Sequence, residues 1–342
     1  MIDKHTVLIL TDRGLRHQQA ALSAAPSVLD VAVLRKPSRQ EVLRRLPEFE
    51  FLISERSGRI DAGMIAAGKN LRLIQRLGSL THDIDLDAAR AACVPVCAWP
   101  VRTCILVAEH VVMQMLALTK RLVGVTAAAL EAGKWGPPSG RTDEDTFAYN
   151  WSDQENIGGI CGKTVGILGF GEIGAELARR LRGFAPAASL YHKRHRLPQP
   201  AEVELGLTYA ARNRLLAQSD FLCNLLPYSP ETDLSLDAGS LARMKPTSCL
   251  ISCGSGAVID EPSLAEALRA GRLAGAAIDT YEWEPIRPDN PLLSLARDPG
   301  MNVLLTPHTA AGTPLAGGIE RKQDYDNILR LLRGEPLLHR VA

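Results

Sequence analysis

The sequence predicts an α/β protein of two Rossmann-like or flavodoxin-like domains, each a parallel sheet wrapped by helices. Three observations predict it. Short apolar runs of strand length alternate with helical patterns along the chain, as in parallel sheets covered on both faces. At 342 residues and 46% hydrophobic composition, the chain is long enough to fill two cores. Finally, Gly169-Phe170-Gly171-Glu172-Ile173-Gly174 stands between an apolar run, 163–168, and a helical stretch, 175–182, so a second strand–turn–helix unit starts in mid-chain.

The elements follow in order. Strands are expected at 7–10, 31–34, 51–54, 73–76 and 94–97, with helices between them at 15–24, 39–45, 62–68 and 86–92. A long apolar helix over 104–122 carries Glu109, His110, Gln114 and Lys120, which suits a buried helix and not a membrane span. The stretch 136–158 is polar, glycine-rich and aperiodic, and reads as a loop. Further strands are expected at 163–168, 188–191, 221–226, 249–252, 275–279 and 303–306, with a helix at 264–270 closed by Gly271. A last helical pattern, 319–332, returns to the first domain. The expected partition is 1–103 with 312–342 as a substrate domain and 104–311 as a cofactor domain, joined by two hinge segments with a cleft between.

Charge points away from polyanionic partners. Lys and Arg number 39 against 38 Asp and Glu, a net charge of +1, so neither nucleic acid nor an acidic membrane surface is expected. Seven cysteines, an odd number without a C-x-x-C pair, read as buried thiols in a reducing compartment. The apolar run after Met1 is only four residues, too short for a signal-peptide core, and a cytoplasmic protein is expected.

The glycine turn carries the first chemistry. Gly169 makes the tight turn, Gly171 lets backbone approach a pyrophosphate, and Gly174 lets helix pack on strand. The amides around Glu172 and Ile173 open the helix, whose positive dipole end favours an anion. About 20 residues along such a motif an acidic residue normally holds the ribose hydroxyls of NAD. Here that place falls on His192, followed by Lys193, Arg194, His195 and Arg196. Cationic donors suit a 2′-phosphate, which points to NADP(H) over NAD(H); a solvated basic loop is the alternative.

Other motifs extend the argument. Val107-Ala108-Glu109-His110, Gly133-Lys134-Trp135, Leu226-Pro227, Pro230-Glu231-Thr232, Met244-Lys245-Pro246, Glu284-Pro285 after Asp279, and Thr306-Pro307-His308 occur in this order. With them the chain resembles the D-isomer-specific 2-hydroxyacid dehydrogenase family over nearly its whole length. The resemblance implies hydride transfer with His308 as acid/base and Glu284 as its partner. It implies cofactor contacts at Pro227, Thr232, Cys253, Gly254, Asp279, His308 and Ala310, and a homodimer built near residues 111–122. Imidazole titrates near working pH, and a carboxylate beside it fixes the tautomer. His308 read alone could equally be a capping histidine.

Two positions depart from the family pattern. Ser255 stands where the family carries its substrate-gripping arginine, and Leu80, after Ser79, stands where the carboxylate-binding loop has a glycine. A serine cannot supply the bidentate guanidinium. An atypical substrate is therefore expected, with Arg102 the candidate replacement cation and His82 a weaker one; surface salt-bridging is the default reading for Arg102 and Arg76 alike. A nucleotide-sensing protein without turnover, or one using bound cofactor in a redox-neutral step, are the competing readings.

Overall fold

The computed structural model describes residues 4–55, 57–131, 133–136, 140–312 and 321–342. The chain divides into two compact units, Met1–Cys104 with Thr313–Ala342, and Ile105–Gly312.

In the first unit the strands are β1 (His5–Thr11), β2 (Leu29–Arg35), β3 (Phe51–Ser54), β4 (Leu73–Leu77) and β5 (Val96–Trp99), all parallel in the order β2-β1-β3-β4-β5. Helices α1 (Leu15–Ala24), α2 (Arg39–Arg45), α3 (Ala62–Ala67) and α4 (Leu86–Ala91) alternate with them. Three of these helices start where the sequence offers a side-chain cap: Ser38, Asp61 and Asp85 accept the amides of Glu41, Met64 and Ala88. Because both sheet faces are covered, β3 and β4 are buried throughout without alternation, and β4 buries Gln75 and Arg76 among Leu73, Ile74 and Leu77. One core gathers Leu8, Leu52 and Ile74 with Val42, Met64 and Ile65, while the opposite face packs Val7, Ile53 and Leu73 with Tyr325 and Ile328.

Helix α5 (Arg102–Thr119) begins at the end of the first unit's segment and continues into the second, where α6 (Leu122–Leu130) follows. The single helix expected over 104–122 is thus two. Arg121 takes a left-handed conformation (φ 49°) between them. The freed carbonyls of α5 find partners: Thr119 accepts the Gly158 amide at 2.8 Å, and Leu118 accepts Asn302 Nδ2 at 3.0 Å. By length and composition alone α5 could cross a membrane, but it buries Val107, Val111, Gln114, Met115 and Leu118 inside the protein. Residues 140–158 contain no helix or strand.

The sheet that follows comprises β6 (Thr164–Leu168), β7 (Ala188–His192), β8 (Thr208–Tyr209), β9 (Phe221–Asn224), β10 (Cys249–Ser252), β11 (Gly275–Ile278) and β12 (Val303–Leu305). Helices α7 (Glu172–Leu181), α8 (Gln199–Leu205), α9 (Arg212–Gln218), α10 (Ala238–Leu241), α11 (Glu261–Arg269) and α12 (Leu292–Ala296) connect them. The strands are all parallel in the order β12-β11-β10-β9-β6-β7-β8, so the strand order, not strand direction, reverses between β6 and β9. The register aligns Leu168 with His192 and Asn224, Asn224 with Ser252, Ser252 with Ile278, and Ile278 with Leu305. Six strands therefore end along one carboxyl edge. Helix α13 (Asp326–Leu332) returns to the first unit; residues 319 and 320, where this helix was expected to begin, lie outside the described residues.

Candidate active site and dinucleotide site

The residues just past that edge are Gly169, Lys193, Leu225, Cys253, Asp279 and Thr306. In an open α/β sheet the ligand crevice lies outside the carboxyl ends, where strand order reverses. Every predicted cofactor position falls on or near these loops.

Two of the three glycines of the turn have a structural reason. Gly169 has φ 89°, and a Cβ there would meet the Leu226 amide nitrogen at 2.6 Å. A Cβ on Gly174 would meet the Phe170 ring at 2.8 Å. At Gly171 a Cβ would meet no protein atom within 4 Å, so nothing in the described chain demands glycine there. Gly171 is also the N-cap of α7 and offers no side-chain cap to the first-turn amides. An open approach beside uncapped amides suits a pyrophosphate.

Facing this turn, the 225–227 and 253–256 segments are packed backbone to backbone. The Ser255 amide donates to the Leu226 carbonyl at 2.8 Å, and a Cβ on Gly254 would meet that carbonyl oxygen at 2.6 Å. Thr280 Oγ1 donates to the Gly254 carbonyl at 2.7 Å. Thr232 Oγ1 donates back to the Pro227 carbonyl at 2.8 Å, closing the 227–232 turn.

The basic run does not act as a single patch. His192 is held through Nδ1 on the Ala210 carbonyl at 2.9 Å. Arg196 forms a two-point pair with Glu202, at 2.8 and 2.7 Å, through Nε and Nη2. Arg194 is exposed. The Glu231 carboxyl is held below its usual range by Ser229 and its own backbone amide, with a smaller contribution from Arg194.

At the other end of the edge, His308 and Glu284 meet: Nδ1 lies 2.7 Å from Oε2. Glu284 Oε1 accepts the Tyr281 amide at 3.1 Å, which fixes the carboxylate. With Nδ1 engaged, Nε2 is the ring nitrogen available to a passing proton. His308 itself has φ 52° and an exposed side chain.

Asp279 organises the loop that carries this histidine. It is fully buried, and its carboxylate accepts Thr306 Oγ1 at 2.6 Å and the amides of Thr309 and Ala310, each at 2.9 Å. Its carbonyl accepts the His308 amide at 2.8 Å. The visible task of Asp279 and Ala310 is thus loop architecture.

Two residues given no role from sequence join this network. His110 Nε2 lies 3.5 Å from Asp279 Oδ1 and 3.2 Å from Thr306 Oγ1, and burial lowers its pKa. Gln114 Nε2 donates to Thr306 Oγ1 at 3.4 Å, while its Oε1 receives the Cys253 thiol at 3.3 Å. Their spacing of four on one helix was the available signal. His110, Cys253 and Asp279 bring ligand-type atoms within 4.8 Å of one another, but Asp279 already uses both oxygens on the chain's own donors.

In the first unit, Ser79 is half-buried, while Leu80 is buried at 5% exposure and so does not stand out into solvent. Arg76 pairs with Asp83 at 2.5 Å and donates to Ser54 at 2.9 Å, a salt bridge as its default reading has it, but it is fully buried and not at the surface. Arg102 is exposed at the start of α5, and among the described residues it pairs with no carboxylate.

A doubly wound sheet, with a glycine turn at its reversal point and a histidine–carboxylate pair at the same edge, defines a dinucleotide-binding fold. Comparison with known proteins agrees. Residues 112–310 match the family model for the D-isomer specific 2-hydroxyacid dehydrogenase NAD binding domain. The chain is 31% identical to D-3-phosphoglycerate dehydrogenase of Archaeoglobus fulgidus over 92% of its own length and 55% of that relative's. It is also 31% identical to glyoxylate reductase of Korarchaeum cryptofilum, over 87% of this chain and 84% of that one. A crystal structure of a glyoxylate reductase from Paecilomyes thermophila superposes with a TM-score of 0.52 at 26% identity, covering 99% and 98% of the two chains. The protein belongs to the D-isomer-specific 2-hydroxyacid dehydrogenase family. Its second unit is the family's nicotinamide-nucleotide-binding domain, and the chain spans about half the length of the phosphoglycerate relative.

Proposed function

We propose that the protein is an NADP(H)-dependent oxidoreductase that interconverts a carbonyl and a hydroxy compound, with His308 as acid/base. The observation that carries this reading is the 2.7 Å contact between His308 Nδ1 and a Glu284 carboxylate fixed by the Tyr281 amide. A bound nicotinamide supplies or accepts the hydride. His308 delivers the proton to the nascent alkoxide through Nε2, or removes it in the reverse direction, and Glu284 stabilises the imidazolium. The turn at Gly169–Gly174 holds the pyrophosphate, and Lys193 with Arg194 receive the ribose phosphate.

The first unit, with Ser79, Leu80 and Arg102, supplies the substrate side. Relatives named for phosphoglycerate and glyoxylate suggest a hydroxy-acid class. Ser255 narrows it, since no guanidinium stands at the family's arginine position. We read the substrate as one whose recognition does not depend on that clamp, in a cytoplasmic homodimer. Exposed Leu122, Leu130, Phe147 and Tyr149 in and after α6 support the dimer.

Nicotinamide absorbance during incubation with a panel of carbonyl compounds tests the activity. Turnover of a compound other than glyoxylate or hydroxypyruvate, with little gain on those two from Ser255→Arg, is the expected result. The second reading, a nucleotide sensor without turnover, draws on Ser255 and predicts tight cofactor binding with no substrate oxidised or reduced across the panel.

A further inference from the structure

A continuous set of side chains links the glycine turn to the basic loop, and no role assigned above uses it. Phe170, inside the turn, packs on Tyr191 with ring centroids 5.1 Å apart. Tyr191 is fully buried. Its hydroxyl donates to Glu202 Oε1 at 2.6 Å and accepts the Leu197 amide at 2.8 Å. Glu202, on α8 and only 5% exposed, takes Arg196 as its two-point partner. The Arg196 guanidinium also lies 5.8 Å over the Tyr209 ring, which in turn meets Tyr191 edge-on at 5.6 Å.

Both ends of the span 192–196 are therefore tied down, His192 by the Ala210 carbonyl and Arg196 by Glu202. A buried carboxylate without a matched cation is costly, so Glu202 holds Arg196 firmly. Lys193 and Arg194 lie between the two anchors. Their backbone is set before any ligand arrives, which lowers the ordering cost of binding a phosphate.

We propose that the Tyr191–Glu202–Arg196 brace determines cofactor selectivity: it presets the loop from which Lys193 and Arg194 read the ribose phosphate. The proposal rests on the NADP(H) reading above. Tyr191, Glu202 and Arg196 are positioning residues, acting through Lys193 and Arg194.

Fluorescence titration of the full-length protein with NADPH and with NADH tests it, on Tyr191→Phe, Glu202→Gln, Arg196→Met and a Lys193→Ala/Arg194→Ala double variant. Each brace variant should weaken NADPH roughly tenfold, the worth of about one charge-assisted hydrogen bond. NADH affinity should stay within about twofold of the parent, well under 1.4 kcal/mol. KM for NADPH should rise with kcat little changed, and Arg196→Lys should restore part of the affinity. The Arg196 side chain is 62% exposed, so its replacement keeps the test available if the buried variants fold poorly.

Tighter NADPH binding by Glu202→Gln, with weaker binding by Arg196→Met, would make Arg196 a direct ligand and overturn the proposal. Equal loss of both cofactors would make the brace merely structural and overturn it as well. If the double variant leaves the NADPH-to-NADH ratio unchanged, the NADP(H) reading fails and takes the proposal with it. Loss in the double variant beside unchanged brace variants sinks the proposal alone.

Discussion

At the scale of single residues, the same chemistry behaves differently according to what surrounds it. His308 is exposed and paired through Nδ1, which leaves its second nitrogen for the proton transfer proposed above. His308→Gln should lower turnover by about 10² to 10⁴, the usual worth of an acid/base group, with cofactor affinity retained. Near-parental rates on the true substrate would make His308 structural. His110 is buried against Asp279, and burial outweighs the carboxylate in lowering its pKa from 6.5. The unfolded chain then takes up a proton near pH 6.5 that the folded chain resists. Its contribution to stability is present above that pH and is lost as pH falls through it toward the lower folded value. Thermal unfolding of wild type and His110→Gln, compared on both sides of that pH, should show a shallower loss for the variant; parallel curves would contradict it.

At the scale of elements, the glycine turn separates folding from binding. Gly169→Ala meets both a positive φ and the Leu226 backbone, and should cost at least about 2 kcal/mol. Gly171→Ala meets no protein atom, and should keep its unfolding midpoint while losing dinucleotide affinity. Denaturation and cofactor titration of the two variants measure the contrast, and equal destabilisation would remove it. These elements were legible because their signals are local. Apolar runs bounded by turn residues marked β3 and β10 to the residue, and helices α1 and α2 also fell where their periodicity put them. The break at Arg121 was not legible, since it depends on Asn302 and Gly158 reaching the end of α5 from distant sequence. Cation availability was illegible for a different reason. Glu202 and Asp83 are near Arg196 and Arg76 in sequence, but only the folded turns between them bring each pair into contact.

For the molecule as a whole, ligand linkage gives a direct reading of cofactor preference. A ligand that binds only the folded chain raises its stability by about 2.7 kcal/mol at a hundred times its dissociation constant. At equal concentrations NADPH should raise the thermal midpoint more than NADH. Equal shifts would argue for indifference at the ribose phosphate. The order of strands and the alignment of their carboxyl ends explain why motifs distant in sequence meet. The glycine turn, Leu226-Pro227, Asp279 and Thr306-Pro307-His308 each follow a strand, and parallel register brings those strand ends to one edge.

The buried Asp279 carboxylate has a kinetic consequence. Surface loops usually exchange their amide hydrogens with solvent quickly, because their donors face water. The loop bearing His308 is exposed at its side chain, yet its amides at 308, 309 and 310 all donate to Asp279. In deuterated buffer these three should be among the slow amides of the domain even without cofactor, and Asp279→Asn should set the Thr309 and Ala310 hydrogens exchanging. The loop is then a rigid mount, assembled when the chain folds and already set when substrate arrives.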